Sequence, residues 1–207
     1  MSSDTKRIRV RSSFSRGIRW IIAAGLASAI VAAVGGEKRP LDTEHSRLTV
    51  LVGKSGFFSG LGHEHEIAAP IAQGEVELSS PAFVAFTVHS GKLIVVDPGE
   101  SDSTRAEIQK TMLGPTVLDA DKFPEIRFVS GNVERLGDTR WNVHGRLTLH
   151  GQTQAVVLET TLEKGHYQGT ATLLQSDFGI TPIRLAGGTI RVKNEVQVKY
   201  DIVLAGQ

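Results

Sequence analysis

The sequence predicts an all-β protein, an antiparallel barrel or sandwich with one or two short helices, preceded by an apolar N-terminal helix. Three observations carry this reading. Apolar and polar residues alternate with period two over most of the second half of the chain, which puts one strand face in an apolar interior and the other in water. Turn signals separate these runs at short intervals, and short connections make antiparallel neighbours. The last alternating run is too long for a flat strand in a small domain and suits one that curls around a barrel.

The N-terminal segment stands apart from the rest. Lys6, Arg7, Arg9, Arg11, Arg16 and Arg19 form a basic start with Asp4 as its one acid, and an apolar run from Trp20 to Val34 follows. A basic region leading into a short apolar region is the pattern of an export signal. The run of about 15 residues falls short of the ~20 that span a bilayer comfortably. Small residues from Ala32 to Gly36 offer a cleavage site that fits Ala-x-Ala imperfectly. Residues 1–36 are therefore read as a signal peptide or a membrane anchor, and residues 37–207 as one domain. The expected location is periplasmic or secreted, or membrane-anchored with the barrel outside the cytoplasm.

Charge agrees with this division. The chain holds 23 Lys+Arg and 22 Asp+Glu; the first 36 residues take six of the bases and one of the acids, leaving 17 against 21, a net −4. A mildly acidic body is poorly suited to a phosphate backbone, so no nucleic-acid partner is expected. The chain has no cysteine, which removes disulfides and thiolate metal sites.

Within the body, residues 37–41 read as a linker. Leu48, Val50 and Val52 begin the first alternating run. Trp141, Val143, Gly145, Leu147 and Leu149 form the next, then Val156, Leu158, Thr160 and Leu162, then Tyr167, Gly169, Ala171 and Leu173. The last set is Ile190, Val192, Val196, Val198, Tyr200, Ile202 and Leu204. Straight, it would reach about 50 Å, so a bend is expected at Asn194, the one polar residue on its apolar face. Turns fall at 136–138, 150–152, 164–166 and 187–188. One helix is expected after the caps Ser101, Asp102 and Ser103, with Ile108 and Met112 on one face and a stop at Gly114-Pro115. It would cover an opening or an edge.

The segment Val117-Leu118-Asp119-Ala120-Asp121-Lys122-Phe123-Pro124-Glu125-Ile126-Arg127-Phe128 resembles the A-x-x-F/Y-P-x-I approach to a strand in the YceI-like family. Gly145-Arg146-Leu147-Thr148-Leu149-His150-Gly151-Gln152-Thr153 is similar to that family's G-x-L-T-[LI]-x-G-x-T hairpin. Ser176-Asp177-Phe178-Gly179-Ile180 and Val192-Lys193-Asn194-Glu195-Val196 continue the likeness, which covers roughly residues 41–204. The resemblance implies an eight-stranded, lipocalin-like antiparallel barrel that holds a polyisoprenoid or another long-chain amphiphile, without catalysis and without a cofactor, and it is compatible with a homodimer. One stretch departs from the commoner pattern: Gly56-Phe57-Phe58-Ser59-Gly60-Leu61-Gly62-His63-Glu64-His65-Glu66-Ile67 carries a His-x-His element.

An eight-stranded barrel either fills with side chains or holds one slender ligand. For the second case the candidate lining residues are Phe57, Phe58, Phe86, Trp141, Val143, Leu147, Leu158, Tyr167 and Phe178; each serves equally as ordinary core packing. His63 and His65 would share a face if extended, where two imidazoles suit Zn²⁺ or Cu²⁺. A third ligand would have to come from His45, His89, Glu64 or Glu66. The alternative is that both histidines hydrogen-bond loop backbone or line the mouth. Three function classes stay open: a lipid carrier, a metal-binding protein, and an envelope interaction module with a packed barrel.

Other signals are weaker. Asp177-Phe178-Gly179 matches the kinase D-F-G, but no glycine-rich phosphate loop and no H-R-D accompany it; Phe178 reads as a loop anchor. No G-x-S-x-G elbow is present. Asp121 and Glu125 read as solvated groups, and His144 and His150 as exposed.

Overall fold

The computed structural model describes residues 37–56, 65–185 and 190–206. The expected leader or anchor over residues 1–36 and its apolar helix lie outside them, as do Phe57, Phe58, His63 and Glu64. No described helix is long and apolar enough to cross a membrane.

The strands are β1 (Lys38–Pro40), β2 (Arg47–Gly56), β3 (His65–Ala68), β4 (Ile71–Glu77), β5 (Phe83–His89), β6 (Ile94–Val95), β7 (Glu125–Arg135), β8 (Arg140–Leu149), β9 (Gln152–Glu163), β10 (His166–Leu174), β11 (Arg184–Leu185) and β12 (Ile190–Ile202). One helix, α1 (Asp102–Leu113), lies between β6 and β7. The sheet order is β1-β4-β5-β7-β8-β9-β10-β12-β2-β3-β6, with β11 paired to β12 off this path. Every pairing is antiparallel.

The sheet curls back on itself. β3 pairs with β2, then runs through Ala69 and Pro70 into β4, which pairs with β5. On the same side Leu41 donates its N–H to Gly74 O at 2.9 Å and forms a bridge with Leu204. The architecture is thus a curled, barrel-like antiparallel sheet with one helix. Its path has eleven strands rather than the eight expected. Two long staves are each broken in two, one by the turn between β1 and β2 and one at Ala69-Pro70, and β6 adds an edge. Proline has no N–H to give to a ladder, so a break at that point follows from its chemistry.

The expected linker over residues 37–41 is also corrected. Lys38–Pro40 pairs with β4, and Leu41 is buried. Three residues with two charges and a proline carry no alternation from which a strand could be read.

Local sequence explains the other elements. Ser101 caps α1, its Oγ accepting from Thr104 N at 3.2 Å, and Gly114 ends it by donating to Lys110 O and Thr111 O. The β8–β9 and β9–β10 hairpins turn on His150-Gly151 and Lys164-Gly165, each with positive φ at both residues, the type I′ geometry whose twist matches the strands. β12 bends where expected: its register against β2 shifts between Val192 and Val196. There Asn194 accepts from Ser176 N and donates to Ser176 Oγ, both at 2.9 Å.

The inward faces of β8 and β7 interlock through a gap. A Cβ on Gly145 would sit 2.3 Å from the Phe128 ring, so glycine is the residue that lets this ring lie flat. Phe128 is 1% exposed and stacks on Phe86 at 5.3 Å between centroids.

Candidate functional site

The inward faces do not meet. They enclose a cavity of about 590 Å³ that runs from the β4–β5 and β7–β8 hairpin tips to the helix end. This is within the ~300–1,000 Å³ typical of ligand sites. The wall is aliphatic and aromatic over most of its length, with Val50, Val143, Leu158 and Val198 around the middle.

Six of the nine residues named from sequence stand in this wall: Phe86, Trp141, Val143, Leu147, Leu158 and Tyr167. Trp141 and Tyr167 face each other with ring centroids 6.1 Å apart. Burial pushes the Tyr167 hydroxyl above its usual pKa, as desolvation does to any acid that ionises to an anion. Phe178 is corrected. It is 2% exposed and packs with Met112, Leu118 and Ile180 in the plug at the helix end, outside the cavity wall. The turn Gln175–Phe178 and Gly179, at φ 72°, swing it into that position. Phe57 and Phe58 lie outside the described residues.

Midway along the wall stands a polar station that sequence reading missed. Thr160, Gly169 and Tyr200 are opposite one another on three neighbouring strands. A Cβ on Gly169 would lie 2.3 Å from Tyr200 Oη, so the phenol ring crosses the glycine. Its hydroxyl pairs with Thr160 Oγ1 at 2.8 Å and donates to Glu159 O at 2.8 Å. Burial, chiefly, pushes the Tyr200 hydroxyl up to about 12. The signal in the sequence was a glycine at an inward position between two larger residues, a gap that an aromatic neighbour fills.

The two ends of the cavity differ. At the helix end Leu93, Met112, Leu118 and Ile180 are buried. At the hairpin end the wall reaches Glu77, Leu78, Arg135 and Asp138, and Leu78 is 52% exposed. Arg135 donates to Asp138 Oδ1 at 3.0 Å and to Gly137 O at 2.9 Å. The cavity therefore opens at the hairpin tips.

Of the His-x-His element only His65 lies among the described residues, and among these no group of three His, Cys, Asp or Glu side chains is placed to hold an ion. His65 Nδ1 is bound to Asp97, whose other oxygen accepts from Glu66 N. Asp97 is buried, and Arg105 donates to its carbonyl at 3.1 Å. His65 thus ties β3 to the segment leading into α1. The other third-ligand candidates are elsewhere: His45 pairs with Asp42 at 2.8 Å in the turn before β2, and His89 is exposed at the end of β5.

Asp121 and Glu125 are exposed, as read. His144 is half-exposed beside Glu134. His150 is corrected: it is partly buried, donates to Phe178 O at 3.1 Å and packs edge-on against Phe123. A turn residue has no strand face, so alternation does not govern its burial.

The fold is a curled antiparallel sheet around an apolar interior that reaches the hairpin tips. The YceI-like domain matches residues 40–204, and the chain belongs to that family. A UPF0312 protein of Pseudomonas putida (strain F1) is 35% identical over 88 residues, 38% of this chain and 46% of the relative. A UPF0312 protein of Vibrio cholerae is 30% identical over 120 residues, 53% of this chain and 62% of the relative. The chain thus spans about half the length of the curated relatives it matches. Among solved structures, BcnA of Burkholderia cenocepacia aligns with a TM-score of 0.62 at 19% identity, over 78% of this chain and 98% of that one. A polyisoprenoid binding domain from Saccharophagus degradans, implicated in plant cell wall breakdown, aligns with a TM-score of 0.52 at 11% identity, over 79% and 95%. Both likenesses show the shared fold.

Proposed function

We propose that this protein binds a long-chain apolar lipid of polyisoprenoid type inside the barrel, as a non-catalytic carrier or store outside the cytoplasm. The observation that carries the reading is the apolar cavity of about 590 Å³ that reaches the half-exposed hairpin tips. Burial of a linear chain is non-directional and contributes about 0.8 kcal/mol per CH₂, so a long chain offsets an association cost of roughly 4–15 kcal/mol that a short one does not. Midway along the wall the polar groups of Thr160 and Tyr200 are satisfied by each other and by backbone, leaving burial as what that stretch offers. The domain of similar fold from Saccharophagus degradans is described as polyisoprenoid binding, which supports the same ligand class here. The basic and then apolar start of the chain supports export.

The test is a binding series of linear alcohols and prenols on the full chain, read by displacement of a fluorescent alkyl probe. Affinity should rise about fourfold per added CH₂, the factor that ~0.8 kcal/mol gives. Ala171→Phe, which adds a ring at a buried wall position on β10, should weaken the longest ligands most. Affinity that is flat with chain length and unmoved by Ala171→Phe would sink the proposal.

A further inference from the structure

We propose that the hairpin end of the barrel docks onto the surface of a lipid bilayer, so that the cavity loads directly from the membrane. The proposal rests on the lipid-binding reading above and adds where the lipid comes from. It starts from two leucines. Leu78, in the β4–β5 connection, is 52% exposed and yet part of the cavity wall. Leu136, in the turn after β7, is 48% exposed. β5 and β7 are paired neighbours, so both leucines stand on adjacent tips of one rim. A half-exposed leucine that also faces the interior makes the path from outside to cavity apolar at its first step.

The occupant is indicated by where the chain reaches this rim. Lys38 pairs in register with Glu77, the residue before Leu78. The apolar run Trp20–Val34 ends four residues before Lys38. Four residues reach at most about 14 Å, so a bilayer that takes up that run lies within that distance of the rim. Just inside the rim Trp141 and Tyr167 line the wall, the two side chains that favour the boundary between hydrocarbon and water.

The rim also fixes the kind of contact. Two of its cations are paired within the protein: Lys38 Nζ with Glu75 at 2.6 Å, and Arg135 with Asp138 at 3.0 Å; Arg140 beside them is exposed. With most of the rim's charge balanced within the protein, docking runs chiefly on leucine burial. It works on zwitterionic lipid and survives salt, unlike attraction of a basic patch to an acidic surface.

The chain has no cysteine, so a single introduced thiol can carry an environment-sensitive dye. In the full chain, Leu136→Cys labelled at the rim should shift to the blue on phosphatidylcholine vesicles, in low and high salt alike, and Leu78→Ser should reduce that shift. The control is Ile94→Cys on β6, an equally exposed apolar position on the sheet edge near the helix end; it should not shift. Leu136→Ser, outside the cavity wall, should slow transfer of a fluorescent prenol from vesicles roughly tenfold, while loading from a cyclodextrin complex stays unchanged. No shift at position 136, an equal shift at 94, or undiminished transfer by Leu136→Ser would each overturn the proposal. A shift at 136 in a protein that takes up no lipid from either source would uphold docking and overturn the carrier reading, so the two failures are distinguishable.

Discussion

The two ends of the barrel are built from opposite materials. At one end α1, the Gln175–Phe178 turn and Leu118 converge into a plug with Phe178 at 2% exposure. At the other end two hairpin tips leave Leu78 and Leu136 about half exposed, with charged pairs beside them. β8, β9, β10 and β12 between them carry inward alternation along their length. What decides whether a barrel is filled or hollow is therefore not the strands but what the connections bring to each end. Here, among the described residues, the connection from β6 through α1 to β7 and the Gln175–Phe178 turn after β10 fill their end, and the β4–β5 and β7–β8 hairpins leave theirs open.

The largest effect should separate plug from cavity. Phe178→Ala removes a ring that is packed on all sides, and should cost about 3–5 kcal/mol of stability. Leu158→Ala removes a side chain already facing open space, so less packing is lost, and about 1–2 kcal/mol is expected from the transfer of its methyl groups alone. Urea unfolding of both variants measures the difference. Leu158→Ala should in addition admit bulkier ligands. Equal costs would mean that the space beside Leu158 closes up in solution, and the contrast between the ends would dissolve.

The same contrast governs what could be read from sequence. β8, β9, β10 and β12 alternate cleanly, and their faces, the turns at 136–138, 150–152 and 164–166 and the bend at Asn194 are legible, while the turn expected at 187–188 lies outside the described residues. β5 is apolar on both faces, Phe83-Val84-Ala85-Phe86-Thr87-Val88, a run that periodicity cannot assign to strand or helix. β4 shifts register between Ile71 and Gln73, which flips its parity midway. The cavity itself was not legible, because a hollow barrel and a packed one share the same alternation; six wall residues were still named, since any inward residue is a candidate for either. The partner of His65 was out of reach for another reason. Asp97 lies 32 residues along the chain, and no local spacing announces such a pair.

A middle-sized effect tests how the plug is held. Gln109 on α1 accepts from Val95 N at 2.8 Å and donates to Leu93 O at 2.6 Å, so one side-chain amide plays the part of a missing strand along the edge of β6. An edge with unmet backbone groups invites pairing with other chains. Gln109→Ala leaves the buried Val95 N–H without its partner and should cost about 1–3 kcal/mol. Hydrogen exchange should speed up at Val95 and along α1, and stay unchanged at the β9–β10 hairpin of the open end. Uniform acceleration would show that the lid and the barrel open as one unit.

The smallest effect concerns the polar station midway. Tyr200→Phe should cost about 1 kcal/mol, the net worth of one hydrogen bond, because Thr160 keeps a contact to Leu158 O. Its signature is in the pH dependence. With the folded Tyr200 raised to about 12 and an unfolded tyrosine near 10, both states are protonated below pH 10 and the stabilising contribution is fully present there. Between pH 10 and 12 the unfolded chain releases its proton first, so stability falls as pH rises. Tyr200→Phe should flatten most of that fall, leaving the share of Tyr167, which burial raises in the same direction. An alkaline unfolding curve that keeps its slope in the variant would mean that water reaches the Tyr200 hydroxyl through the open end, and that the wall is wet as far as the station.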